Sequence, residues 1–224
     1  VPGPVTDTAD PGGAVSNDGR IIPSFTRNWL SKQGLKTGLP GQPDLFDKMC
    51  LAVTAIALAG WAVVPDARSV ALLLIAAGAV QAVRLGRWSG HKTLSDPLVS
   101  ILHVGYAWLP LGLVLLGSSV VLPTIPTTSA LHALAAGAMA SMTLAVMTRA
   151  TLGHTGRILH ADLATVAIFV LVTLGAALRV AAPLLPVDYM RAIELAGLLW
   201  GGAFLLFVLA YGPRLVGPRP DGRA

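Results

Sequence analysis

Cysteine, charge and aromatic residues are all scarce in this chain, and each scarcity excludes something. Cys50 is the single cysteine in 224 residues. An internal disulfide is impossible, and so are the C-x-x-C patterns that hold iron–sulfur clusters or attach haem covalently. A lone thiol at the start of an apolar helix is expected to be buried and inert. Charged residues make up 12% of the chain and aromatics 6%. The carboxylates are few and lie mostly in loops, which leaves no paired acid–base site. No run of Lys and Arg is interleaved with aromatics, so the net charge of +5 does not point to nucleic acid. The P-loop, the dinucleotide fingerprint, the nucleophile elbow and H-E-x-x-H are missing as well.

What abounds is apolar. Hydrophobic residues reach 54% and the mean hydropathy is +0.70, more than one soluble core of this size hides. They fall in blocks of about 18–22 residues, the length that crosses ~30 Å of hydrocarbon, without the alternation of a barrel strand. The expected fold class is all-α, a polytopic transmembrane helical bundle in the lipid bilayer. Its six spans are placed at Phe46–Val64, Arg68–Leu85, Pro97–Gly117, Thr128–Thr148, Ala161–Ala182 and Arg191–Tyr211. Pro97 suits a helix's first turn. Pro183 and Pro186 are expected to end the fifth span, and Pro213 the sixth.

The flanks differ in character. Residues 1–18 are rich in Pro, Gly and Asp and are expected to be disordered or a truncated remnant. Residues 19–45 read as a basic juxtamembrane segment, in which Pro23, Pro40 and Pro43 speak against one continuous helix. The membrane domain follows over 46–211, and a tail over 212–224. Lys and Arg set the orientation. Arg27, Lys32, Lys36, Arg84, Arg87, Lys92, Arg149, Arg157, Arg214, Arg219 and Arg223 share one side, against Arg68, Arg179 and Arg191 near the other. Both termini of the chain are therefore expected in the cytoplasm, with an even number of spans.

The stretch Leu131–Arg157, LHALAAGAMASMTLAVMTRATLGHTGR, is expected to be the element the others surround, because polar groups at membrane depth usually mark function. His132 opens its helix. At about 100° per residue, Met139 lies about 20° from His132 and Met147 about 60°, one stripe of imidazole and thioether. Such donors suit copper. Helix packing is the favoured reading of the methionines, since His132 and Met139 are ~10 Å apart along the axis. The stretch then breaks into a loop with Arg149, His154 and Arg157, where Gly153 and Gly156 allow tight turns. Arg149 and Arg157 have the fork geometry that holds haem propionates or another anion. His160 begins the fifth span, with Asp162 beside it as an N-cap or as an acceptor for the ring N–H of a ligating histidine. In the third span His103 lies ~9 Å inside the membrane, with Tyr106 three residues on along the same face. Two readings of His103 stand level: a neutral histidine bonded to a neighbouring helix, or an axial ligand to haem iron. His91 is expected to be exposed. Arg84, Arg87 and Trp88 read as an interfacial anchor with snorkelling arginines. Arg179 and Glu194 read as a membrane ion pair.

Three separated motifs carry a resemblance. LHALAAGAMASMTLAVMTRATLGHTGR, RLGRWSGHKTLSDPLVSILHVGYAWLPLGL at residues 84–113 and GRIIPSFTRNWL at residues 19–30 together resemble the NnrS family. The resemblance covers the chain from about residue 19 to 211. It implies a bacterial inner-membrane protein that contains haem and copper, tied to nitric oxide metabolism and resistance to nitrosative stress. Nitric oxide or a nitrosyl iron species would then be its small-molecule partner. It also implies a twelve-span protein of which this chain is the C-terminal half, although family members carry an apolar helix where residues 1–18 here are polar. Carried over residue by residue, it makes His103, His132, His154 and His160 candidate metal ligands and Arg149 and Arg157 candidate propionate partners. Tyr106, beside His103, joins them as a candidate cofactor contact. Catalytic turnover and oligomeric state stay open. The rival reading is a transporter or metal-delivery bundle without haem, suggested by the Gly/Ala-rich second, fourth and sixth spans. A structural subunit with every histidine hydrogen-bonded is the plainest alternative.

Overall fold

The structure, a computed structural model, describes residues 21–220. The expectation of disorder over residues 1–18, and the last four residues of the tail, lie outside the described residues. The rest is helical, with seven helices and no strand among the described residues.

Helix α1, Ile21–Lys32, was not expected as a helix. Pro23 falls in its first turn, where backbone N–H groups lack intrahelical partners in any case. Ile22, Thr26 and Leu30 recur at i, i+4 and i+8 and are buried, so α1 lays one face on the bundle. Its end is closed by Leu35 N–H donating to Leu30 O at 3.1 Å, with Gly34 at φ +83°. Pro40 and Pro43 then keep the chain extended up to α2, so the segment is indeed not one helix.

Six helices are long and apolar enough to cross a membrane. They are α2 (Leu45–Val63), α3 (Arg68–Gly86), α4 (Pro97–Val121), α5 (Thr127–His154), α6 (Leu163–Ala181) and α7 (Tyr189–Val216). Helices α2 and α3 match the expected spans to within a residue, and α4 runs four residues beyond the expected Gly117. Helix α5 runs six residues beyond the expected Thr148, so Arg149 and His154 are helical and Gly153 makes no turn. The helix stops at a Schellman motif instead: Gly156 takes φ +68°, Arg157 N–H donates to Leu152 O and Gly156 N–H to Gly153 O. Helix α6 starts after the expected Ala161, with Asp162 as its N-cap, so His160 lies in the preceding loop. Pro213 does not stop α7, which continues to Val216. Pro213 removes one donor, and the last-turn carbonyls of Pro213 and Arg214 accept from Gly217 N and Arg157 Nη1.

Helix α4, rather than α5, is the centre. Buried residues make up 56% of its apolar stretch, against 39% for α5 and 17% for α7. It packs on α1, α3 and α5, while α2 leans on α3, and α6 and α7 pair with each other against α5. Glycines permit these approaches. A Cβ on Gly117 of α4 would lie 2.4 Å from Ala71 O of α3, and one on Gly175 of α6 would lie 2.7 Å from Trp200 N of α7. Small residues of this kind let membrane helices touch backbone to backbone. Helices α2 and α7 leave Leu51, Ile56, Leu198, Leu205, Val208 and Leu209 exposed, as a lipid-facing surface requires.

Candidate functional site

The four candidate histidines do not meet. Among the described residues no group of three or more His, Cys, Asp or Glu is placed to hold a metal ion. Each histidine has its own surroundings.

His103 is buried on α4. Its Nε2 lies 2.8 Å from Thr26 Oγ1 on α1. The Thr26 hydroxyl donates to Ile22 O at 2.9 Å, so the imidazole N–H donates to Thr26, and Nδ1 is left with its lone pair. That nitrogen is enclosed and has no partner. It faces Gly90, where a Cβ would come within 2.5 Å of it. Trp88 closes the ring edge-on at 6.4 Å. A porphyrin cannot reach either nitrogen without displacing α1 or the Gly90 turn.

Tyr106 turns away from any such pocket. Its hydroxyl donates to Gln81 Oε1 at 2.6 Å and accepts from Arg84 Nη1 at 2.8 Å. Arg84 Nε in turn donates to Asp47 Oδ1 at 2.7 Å, and Gln81 Nε2 donates to Thr54 Oγ1 at 2.8 Å. This chain of partners joins α2, α3 and α4 inside the bundle. Arg84 and Trp88 are thus buried rather than snorkelling, because Asp47 and Tyr106 meet the guanidinium where it is. Only Arg87 reaches outward, to Asp44 at 2.5 Å. The Arg87 hydrogen bond holds the Asp44 carboxyl far below the usual carboxylate range. Sequence reasoning passed over Asp47, Gln81 and Thr54. Two signals were available: a glutamine alone in an apolar block, and the reciprocal capping pair Asp44 and Asp47 at the head of α2. Cys50 is buried, as expected.

His154 and His160 are exposed, and His91 is exposed as expected. Arg157 spends Nη1 on Arg214 O at 3.1 Å. Arg149 is half-buried, with its guanidinium 4.0 Å from the Phe25 ring centroid. Met139 is 69% exposed and Met147 42%, so these methionines face outward rather than packing inside. Their stripe brings no sulfur to His132 as a donor set.

His132 has the arrangement a ligating histidine needs. It is the sixth residue of α5, at the end of the bundle opposite His154. Its Nδ1 lies 2.6 Å from Thr128 O. A carbonyl only accepts, so Nδ1 carries the proton and, in the neutral ring, Nε2 keeps its lone pair. Such a backbone bond fixes tautomer and ring plane in metal-binding histidines. His132 lines a partly open cleft of about 270 Å³, walled by Ala136, Gly175, Ala196, Gly197 and Trp200. The adjoining turns, Ala133–Met139, form a π-helical segment, a distortion that often accompanies function. Trp200 Nε1 donates to Ala136 O at 3.2 Å across the cleft. Arg179 lines the same cleft. It makes no ion pair with Glu194, contrary to expectation. The positions Ile193, Ala196, Gly197 and Trp200 turn one face of α7 toward the cleft, and Glu194 falls off that face and is exposed.

A model of the NnrS protein family matches residues 15–219. No curated protein and no solved structure matches the chain. The family match spans nearly the whole chain, and with six apolar membrane-length helices the chain belongs to the NnrS family and is a multi-pass membrane protein.

Proposed function

We propose that this chain is a haem-binding protein of the bacterial cytoplasmic membrane, with both ends of the chain on the cytoplasmic side, acting in nitric oxide metabolism or resistance to nitrosative stress. The NnrS resemblance supplies that expectation. The observation that carries it to particular residues is His132, its Nδ1 tied to Thr128 O and its Nε2 left free at an apolar cleft.

The residues at this cleft would hold the edge of a haem, since about 270 Å³ is less than a whole macrocycle occupies. His132 would offer iron its neutral Nε2. Ala136, Ala196 and Gly197 would meet the apolar edge of the macrocycle, bounded by the Trp200 ring, while Gly175 lies against the Trp200 backbone and leaves no room beside it. Arg179 supplies a guanidinium for a carboxylate, without a competing acidic partner among the described residues. When bound, haem iron supplies a site for a diatomic ligand such as nitric oxide, or for an electron. For copper, the described residues bring together no group of three or more His, Cys, Asp or Glu. No residue of this chain is assigned to that metal.

A reduced-minus-oxidised spectrum of the detergent-purified chain tests the reading. A Soret band is the expected result. A colourless pure protein would contradict it and favour a transporter or metal-delivery bundle.

A further inference from the structure

A second cleft, at the opposite end of the bundle, is built around Arg149. The guanidinium Nη1 is enclosed and has no hydrogen-bond partner. The Phe25 ring beneath it offsets part of the cost of burying the charge, but a π face leaves the in-plane N–H donors unmet. No carboxylate among the described residues lies within ion-pair distance. Asp96 borders the same space, yet its Oδ1 accepts from Leu98 N at 2.9 Å to cap α4.

Two cavities share Arg149 and Leu159 as walls. One, about 690 Å³, is bounded by apolar Ile21, Phe25, Leu102 and Val146, with His154 at its edge. The other, about 540 Å³, is polar and bounded by Asn28, Lys32, Gln33 and His160. Arg149 stands where the apolar space meets the polar one, at the end of the bundle richest in Lys and Arg. A small inorganic anion would satisfy Arg149 but leave the apolar cavity to water. An anion with an acyl body fills both, and the bilayer presents such molecules at this depth.

We propose that the double cleft is a specific site for one anionic phospholipid. Its phosphodiester pairs with the guanidinium of Arg149, whose half-buried side chain lines both cavities, with Lys32 and His160 beside the headgroup. An acyl chain lies along Phe25, Val146 and Leu159, and so pins α1 against α5. The site involves neither His132 nor a cofactor, and its test is independent of the haem reading.

The full chain in detergent, titrated with phosphatidylglycerol and followed by native mass spectrometry, is expected to hold one lipid. R149Q should weaken retention about tenfold, the scale of one charge-assisted hydrogen bond. R68Q removes the same charge at the far end and should bind like the unmodified protein. V146W fills the apolar half with Arg149 untouched, and should also lose the lipid, which keeps the test decisive if R149Q does not fold. Equal retention of zwitterionic phosphatidylcholine would overturn the proposal, as would phosphatidylglycerol bound as tightly by R149Q or V146W. Inorganic phosphate bound equally by the unmodified protein and V146W would make this a free-anion site, and haemin displacing the lipid would assign it to a dicarboxylate; either result overturns the proposal.

Discussion

At His103 neither ring nitrogen is open to a ligand: Thr26 bonds one and the Gly90 turn covers the other, which has no partner. The turn is itself constrained, since Ser89 before it has φ 54°, a left-handed conformation uncommon for a residue with a side chain. A methyl group at Gly90 meets a ring that Trp88 and Thr26 hold from two sides. G90A is therefore expected to destabilise the protein by about 1–3 kcal/mol, the range of overpacked cores; an unchanged thermal midpoint in detergent would contradict this. The Asp47–Arg84 pair gives a larger effect. D47A leaves a buried guanidinium with only the Tyr106 hydroxyl and the Trp88 ring, and breaking a buried pair from one side costs about 3–5 kcal/mol. Loss within experimental error of zero would show that water reaches Arg84. The sequence displayed His103, Tyr106, Arg84 and Gln81 as polar groups in apolar spans, each needing a partner. It could not display the partners. Thr26 and His103 lie 77 residues apart, and only the docking of α1 on α4 joins them.

Helix ends are where the elements departed from expectation, and the reason is local chemistry. Hydropathy falls at Arg149, so a span read from apolar content stops there. The helix itself stops at Gly156, which alone in that stretch takes φ +68° without strain. Two turns of α5 were hidden in this way, and Arg149 moved from a loop onto a helix wall. Asp162 was legible because Asp before an apolar run is a helix-start signal. It accepts from Thr165 N–H at 2.9 Å and the Thr165 hydroxyl at 2.7 Å, and it pairs with Arg214 at 2.5 Å. The Thr165 hydroxyl contributes most to holding its carboxyl at about 2, against burial, which raises it. The folded value lies below the unfolded one. The stabilisation is thus complete above about pH 4 and is lost as pH falls through about 2. The thermal midpoint should fall more steeply between those limits in the unmodified protein than in D162N. Equal slopes would remove Asp162 from the acid response.

Across the whole molecule, the apolar blocks were enough to count and place six spans, because each must satisfy its own backbone in lipid. They were not enough to rank them. Polar residues made Leu131–Arg157 conspicuous, yet α4 is central, since burial follows from glycine-mediated contacts on several sides at once. One pairing had the same origin: Arg179 and Glu194 are near in span order, but helix rotation sends Arg179 to the His132 cleft and Glu194 to the surface. The arrangement leaves a histidine and an arginine at an apolar cleft at each end of the bundle. Of the four histidines, His132 alone combines a backbone-fixed tautomer with cleft walls. The central claim is therefore tested by haem content, measured as the pyridine haemochrome of the purified chain and of H103A, H132A, H154A and H160A. H132A is expected to lose haem while the other three variants keep the content of the unmodified protein; full haem in H132A would overturn the assignment.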